Sequence, residues 1–199
     1  MGLSIGVEAV LWGADLRLWG TAAWRPLAYQ YGGFWAGLLY GWRPNFAAQP
    51  ATMFVTHAFL HAGPVHLAGN MLTLGLVGLP IAARLGGLRF AALYATGMLG
   101  GALAFGLLAT SPAPMVGASG AIFGLAGVWT VWDWAAGRRE GMRSRRLALR
   151  ALAVILGLAL FNLAVWVAQS GQLAWQAHLG GYVAGGLFAL HRAGRPVRE

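Results

Sequence analysis

The run PMVGASGAIFGLAG, residues 114–127, is apolar or small throughout except for one hydroxyl, that of Ser119. The stretch reads as a helix going into lipid, and the meaning of its serine decides the rest. A lone serine cushioned by Gly117, Ala118 and Gly120 is either packing glue between helices or a nucleophile with room cleared around it. Taken alone, packing is the ordinary explanation.

Outward from this run the chain stays apolar. Of 199 residues, 58% are hydrophobic and 10% charged, where an ordinary soluble domain carries about 25% charged residues. That points to the membrane. There is no cysteine, hence no disulfide or thiol chemistry. Basic residues outnumber acidic ones 14 to 5, for a net charge of +9, and every basic residue is Arg. Six of these arginines lie between 138 and 150. In a membrane protein that clustering is a topology signal rather than the basic footprint of a nucleic-acid binder, so nucleic acid is not an expected partner.

Residues 90–132 hold 43 positions without Asp, Glu, Lys or Arg, and 151–191 hold another 41. One span needs about 20 residues, so each run supplies two. The first is broken by the prolines of SPAP, 111–114, the second by QSGQ, 169–172. Upstream, PVHLAGNMLTLGLVGLPIAA supplies a further span. Spans are expected at 1–14, 64–84, 89–110, 115–136, 150–168 and 173–191. The first, which contains Glu8, is short or truncated. No signal peptide is expected. The aromatic, Gly- and Pro-rich residues 18–56 read as an external loop lying at the membrane interface. The whole of 1–199 reads as one domain.

Arginine sets the orientation. The 138–150 loop, Arg84 and Arg89, and the tail with Arg192, Arg195 and Arg198 fall on the cytoplasmic side together with both termini. The neutral turns 111–114 and 169–172 fall outside. The long 18–56 loop also falls outside, with Arg25 and Arg43 as mild exceptions. On this map Ser119 lies about one turn into its helix from the outer end, and so does His178. His66 and Asn70, spaced i and i+4, share one face at the outer end of the 64–84 helix. Polar groups in a span are costly and face the interior or a water-filled cavity. Here four arrive at one depth from three helices.

Those four suit acyl transfer. A serine hydroxyl needs a base, and His is the side chain suited to that near neutral pH. Asn70, His66 and the Ser119 N–H are candidates to hold an oxyanion. No acid is at hand to orient His178. Asp133 lies 14 residues beyond Ser119, about 21 Å along a helix. The arrangement is therefore a Ser–His dyad. Small residues at four-residue spacing (Gly117 and Ala121, Gly120 and Gly124, Gly181 and Gly185) let the two helices touch and bring Ser119 to His178. Asn162 reads as interhelical hydrogen-bonding glue. Phe161 and Trp166 read as lipid-facing or packing residues, with a lateral gate against the 64–84 helix as the functional alternative.

At this point the chain resembles the rhomboid intramembrane serine proteases. GASGAIFG is similar to that family's nucleophile motif, AHLGGYVAGG to its histidine motif, and HAFLHAGPVHLAGN to the segment carrying His and Asn four apart. The resemblance covers about residues 50–192, in the family's order. It implies an all-α membrane protein, a six-transmembrane-helix rhomboid-like bundle in a bacterial inner membrane. Ser119 is then the nucleophile and His178 the base. His66, Asn70 and the Ser119 N–H form the oxyanion site, Gly117, Gly120, Phe123 and Gly181 pack around it, and His57 and His61 are structural. It implies single-span membrane proteins as substrates, cleaved near the outer end of their span, with no metal or organic cofactor. It fixes no oligomeric state. Three positions depart from the family pattern. Phe123 stands where many members carry Tyr, Thr52-Met53 where a Trp-Arg pair is common, and Ala82 where a Glu is common. Two rival readings are a non-catalytic rhomboid-like fold that binds membrane helices, and a small transporter. The first is expected to lack the serine or histidine, which this chain keeps. The second is expected to show internal repeats and midplane charges, which this chain lacks.

Overall fold

A computed structural model describes residues 1–168 and 173–193. The neutral turn 169–172, Arg195, Arg198 and the side chain of Arg192 lie outside the described residues. The described chain is all-helical: α1 (Gly2–Asp15), α2 (Trp24–Gly32), α3 (Gln49–Thr56), α4 (Pro64–Thr73), α5 (Leu79–Leu85), α6 (Gly87–Leu108), α7 (Ser119–Arg139), α8 (Ser144–Ala168) and α9 (Trp175–Ala193). Among the described residues three helices are long and apolar enough to cross a membrane: Pro64–Leu85, Gly87–Leu108 and Ser144–Val167. The first is α4 and α5 joined by a π-helical turn at Leu74–Gly78. That turn precedes Pro80, which has no N–H to give and whose ring crowds the carbonyl four residues back.

Glycine builds the centre. A methyl group on Gly181 would stand 1.9 Å from the carbonyl oxygen of Gly120, and one on Gly185 would stand 1.9 Å from that of Gly124. So α9 meets α7 backbone to backbone, through the residue pairs expected of small-xxx-small packing. From the other side α6 brings Gly97 against Gly124 and Gly101 against Gly120. Leu93, Leu125 and Val128 fill the half of this three-helix core away from Ser119, and Ala102, Phe105 and Ala177 the half on the Ser119 side. The helices around it turn large apolar side chains outward: Leu76 is 69% exposed, Leu88 88% and Leu160 65%. Leucines left bare in this number need an apolar surrounding, which a bilayer supplies.

Two expectations are corrected. The 18–56 segment is not one long loop. It contains α2, a 3-10 turn at Ala36–Leu39 and α3, short helices broken at Gly33, Gly41 and Pro44. The helix expected from 115 begins at Ser119, because Gly117 sits at φ +127°, outside the helical region and open only to glycine at little cost. Ser119 is thus the first residue of its helix rather than one turn into it.

Candidate active site

The strand-like approach to Ser119 is held from both sides. Met115 and Phe34 exchange N–H···O bonds of 2.9 Å, and the Gly117 N–H donates to the carbonyl of His57 at 2.9 Å. His57 is itself fixed by its Nδ1–H donating to the Met53 carbonyl at 2.8 Å and by an edge contact with Phe34. Burial lowers its pKa to about 4, so it stays neutral and structural. At the end of this clamped segment Ser119 opens α7. Its N–H belongs to the first turn, where amides have no helical partner and the helix dipole is positive. That is a place suited to negative charge.

The Ser119 hydroxyl lies 2.8 Å from His178 Nε2. His178 stands in the first turn of α9 and is 5% exposed. Phe123, one turn along α7, stacks on the imidazole with centroids 4.1 Å apart and planes at 4°. The ring face expected of a Tyr at this position is therefore present without the hydroxyl. The other edge of the imidazole is met by a residue whose role the sequence left as packing glue. His178 Nδ1 is 2.5 Å from Asn162 Oδ1, while Asn162 Nδ2 donates to the Leu158 carbonyl at 2.8 Å. Asn162 does bond across helices, but its partner is the histidine. A polar residue in the middle of an apolar span was the available signal.

His66 and Asn70 lie on α4, facing the serine loop. A methyl group on Gly117 would come 2.9 Å from His66 Cε1, 3.2 Å from Nε2 and 3.9 Å from Ser119 Oγ, so only glycine leaves His66 this close. His66 Nδ1 accepts from the Ala62 N–H at 3.2 Å, which leaves the proton of a neutral ring on Nε2, the nitrogen nearest Gly117. Asn70 is buried, and its amide donates to the His66 carbonyl at 2.9 Å. Its second amide proton remains for another acceptor. Gly120 and Gly181 act through the α7–α9 contact described above.

The segment leading into α4 is tied down by a network the sequence did not reveal. Arg25 on α2 forks onto Glu8 of α1 at 2.7 and 3.0 Å, reaches Asp15 at 2.6 Å, and donates to the His61 carbonyl at 2.9 Å. The Tyr29 hydroxyl donates to the same carbonyl at 2.7 Å. These bonds anchor the segment between α3 and α4 to α1 and α2. Burial opposes the Arg25 charge, but its bonds to Glu8, Tyr29 and Asp15 outweigh it and raise the pKa. The His61 ring is fully buried, edge-on to His66 at 5.3 Å, and both its nitrogens lack a partner. Burial first, then His66, lower its pKa to about 4.

The Rhomboid domain family profile matches residues 48–194. Rhomboid-related protein 3 of Homo sapiens is 30% identical over 155 residues, covering 72% of this chain and 37% of its own. Rhomboid protease GluP of Bacillus subtilis (strain 168) is 34% identical over 144 residues, covering 71% of this chain and 26% of its own. RHOMBOID-like protein 5 of Arabidopsis thaliana is 33% identical over 136 residues, 64% of this chain and 39% of its own. The chain thus spans well under half the length of these relatives.

Proposed function

Since this chain belongs to the rhomboid family of multi-pass membrane proteins, we propose that it is an intramembrane serine endopeptidase working through a Ser119–His178 dyad. The 2.8 Å contact between Ser119 Oγ and His178 Nε2 carries this reading. A nucleophile and a base within hydrogen-bond reach, on separate helices, make the arrangement needed to activate serine.

In the proposed reaction the transmembrane helix of a single-span protein comes in from the side and unwinds near the outer face of the membrane. Ser119 attacks a peptide carbonyl as His178 takes its proton. The oxyanion is held by His66, Asn70 and the N–H of Ser119 at the head of α7. His178 then protonates the leaving amine, and water hydrolyses the acyl-enzyme. The bilayer arrangement proposed with it has six spans over a single domain 1–199, with α1, α7 and α9 joining the three most apolar helices. Both termini face the cytoplasm of a bacterial inner membrane. The arginines of 138–150 support that orientation.

Reaction of the detergent-solubilised protein with a fluorophosphonate probe tests the reading. Labelling is expected for wild type and not for Ser119→Ala or His178→Ala. Cleavage of a reconstituted single-span protein, mapped to its outer segment, extends the test to substrate class. A folded wild-type protein that takes up no probe would favour a non-catalytic, helix-binding member of the fold.

A further inference from the structure

We propose that Asn162 is a positioning residue for His178, fixing from α8 the tautomer in which the imidazole can act as base. The proposal rests on the serine-protease reading and adds a third member to the dyad.

The amide orientation follows from its two contacts. Asn162 Nδ2 donates to the Leu158 carbonyl one turn back at 2.8 Å, which turns Oδ1 toward His178 Nδ1. Flipping the amide would set Oδ1 against the Leu158 oxygen and leave a donor facing the ring, losing one bond and making an oxygen–oxygen clash. An amide oxygen only accepts, so Nδ1 carries the proton. Nε2 is then left with a lone pair, 2.8 Å from the Ser119 hydroxyl. The other neutral tautomer would present Nε2–H to Ser119 and could not take its proton.

Little else fixes that edge of the ring. Phe123 covers a face. On the α8 side the imidazole borders a cavity of about 670 Å³ lined by Ile155, Leu158, Asn162, Trp166 and Tyr182. In α8, Leu147 is buried and Asn162 half-buried, while Leu156, Leu160 and Phe161 point outward. The hydrogen bond from α8 to the imidazole is therefore the Asn162 amide, set in an otherwise apolar lining. A carboxylate in the equivalent place holds a catalytic imidazole both by hydrogen bonding and by charge. The neutral amide supplies the hydrogen bond alone, without bringing an ion into the membrane interior.

The test uses Asn162→Leu, which keeps the branching of the side chain and removes the acceptor, and Asn162→Asp, which keeps an acceptor. In the ¹⁵N-histidine-labelled 199-residue protein, with the His178 signals assigned by difference against His178→Ala, wild type should show a protonated Nδ1 and an unprotonated Nε2. Asn162→Leu should lose that preference and take up fluorophosphonate at least tenfold more slowly, with a thermal midpoint equal to or above wild type. Asn162→Asp should keep the Nδ1–H form and recover most of the rate. A protonated Nε2 in wild type would overturn the proposal, as would Asn162→Leu labelling within twofold of wild type. Failure of the protease reading is separately visible, as wild-type protein that takes up no probe, and the ring nitrogen spectrum still reports on Asn162 in that case.

Discussion

One of the two closest glycine contacts between α7 and α9 sets up a quantitative test. A methyl on Gly181 would lie 1.9 Å from the Gly120 carbonyl oxygen, whereas carbon and carbonyl oxygen settle at about 3.3–3.6 Å. Gly181→Ala therefore has to part α9 from α7 by about 1.4 Å at that level. His178 lies one turn before Gly181, and Ser119 directly precedes Gly120, so the separation passes straight into the 2.8 Å Ser119–His178 contact. Opened to about 4 Å, that contact is no longer a hydrogen bond. Misplacement of this size costs about a hundredfold in rate, and overpacking of this kind costs about 1–3 kcal/mol of stability, or about 3–10 °C in thermal midpoint for a chain of this size. The assay is the second-order rate of fluorophosphonate labelling, with a melt in the same detergent. Gly157→Ala on α8 is the control, because nothing lies within 4 Å of that position; it should label like wild type and melt no lower. Gly181→Ala labelling within threefold of wild type, with an unchanged melt, would mean that the helices close around the methyl group and that the glycine contact does not set the catalytic geometry.

Other outcomes follow from the surrounding contacts. Arg25→Ala leaves Glu8, 2% exposed, without its partner, and should cost about 3–5 kcal/mol; combining Glu8→Gln with Arg25→Gln should recover part of it, and a double change as unstable as the single one would refute the pairing. His57 is neutral in the fold with a pKa lowered by burial to about 4, against about 6.5 unfolded. Its contribution is therefore complete above pH 6.5 and is lost as pH falls from 6.5 to 4, by up to about 3 kcal/mol, so melts across that window should flatten in His57→Gln if this residue is responsible. Phe123→Leu removes the face stacked on His178 and should slow labelling about 2–10-fold, the equivalent of about 0.5–1.5 kcal/mol, while Phe123→Tyr should label as wild type does.

What the sequence made legible was whatever repeats at helical spacing. Gly120 with Gly124 and Gly181 with Gly185 marked the two faces that meet, and those pairs do oppose one another in the structure. His66 and Asn70 four residues apart placed two polar side chains on one face of α4. What stayed hidden depended on partners far apart in the chain. Glu8 looked like a blemish in a short span and Arg25 like an exception to the charge rule, yet they are two halves of one buried ion pair, 17 residues apart. The start of α7 was misplaced because hydropathy cannot see a backbone dihedral: residues 115–118 are apolar enough to be helical, and only the positive φ of Gly117 keeps them out. Asn162 was visible as an anomaly, but its partner, 16 residues away, depends on how α8 leans on α9, which no local pattern encodes.

The charges of this protein explain why its site is built from neutral groups. Described charged side chains close to the bundle are paired or set toward its ends: Glu8 and Asp15 hold Arg25, and Asp133 faces Arg150 at 3.4 Å toward the C-terminal end of α7. Around Ser119 stand His178, Asn162, His66 and Asn70, with no carboxylate among them. An isolated ionised group moved into hydrocarbon costs many kcal/mol unless it is paired, so a resting carboxylate beside His178 would need a buried cation and a second desolvation. A serine, two imidazoles and two amides can rest there uncharged. In the proposed reaction charge then arises only transiently, when His178 takes the Ser119 proton and the oxyanion forms, and donors already in place from the head of α7 and from α4 meet it. Catalysis at this depth requires that separation in time. It predicts that an acidic residue introduced beside Ser119, such as Gly120→Asp, abolishes labelling even where the helix still packs, whereas Asn162→Asp, which can rest as a neutral acid donating to the Leu158 carbonyl and accepting from His178 Nδ1–H, does not.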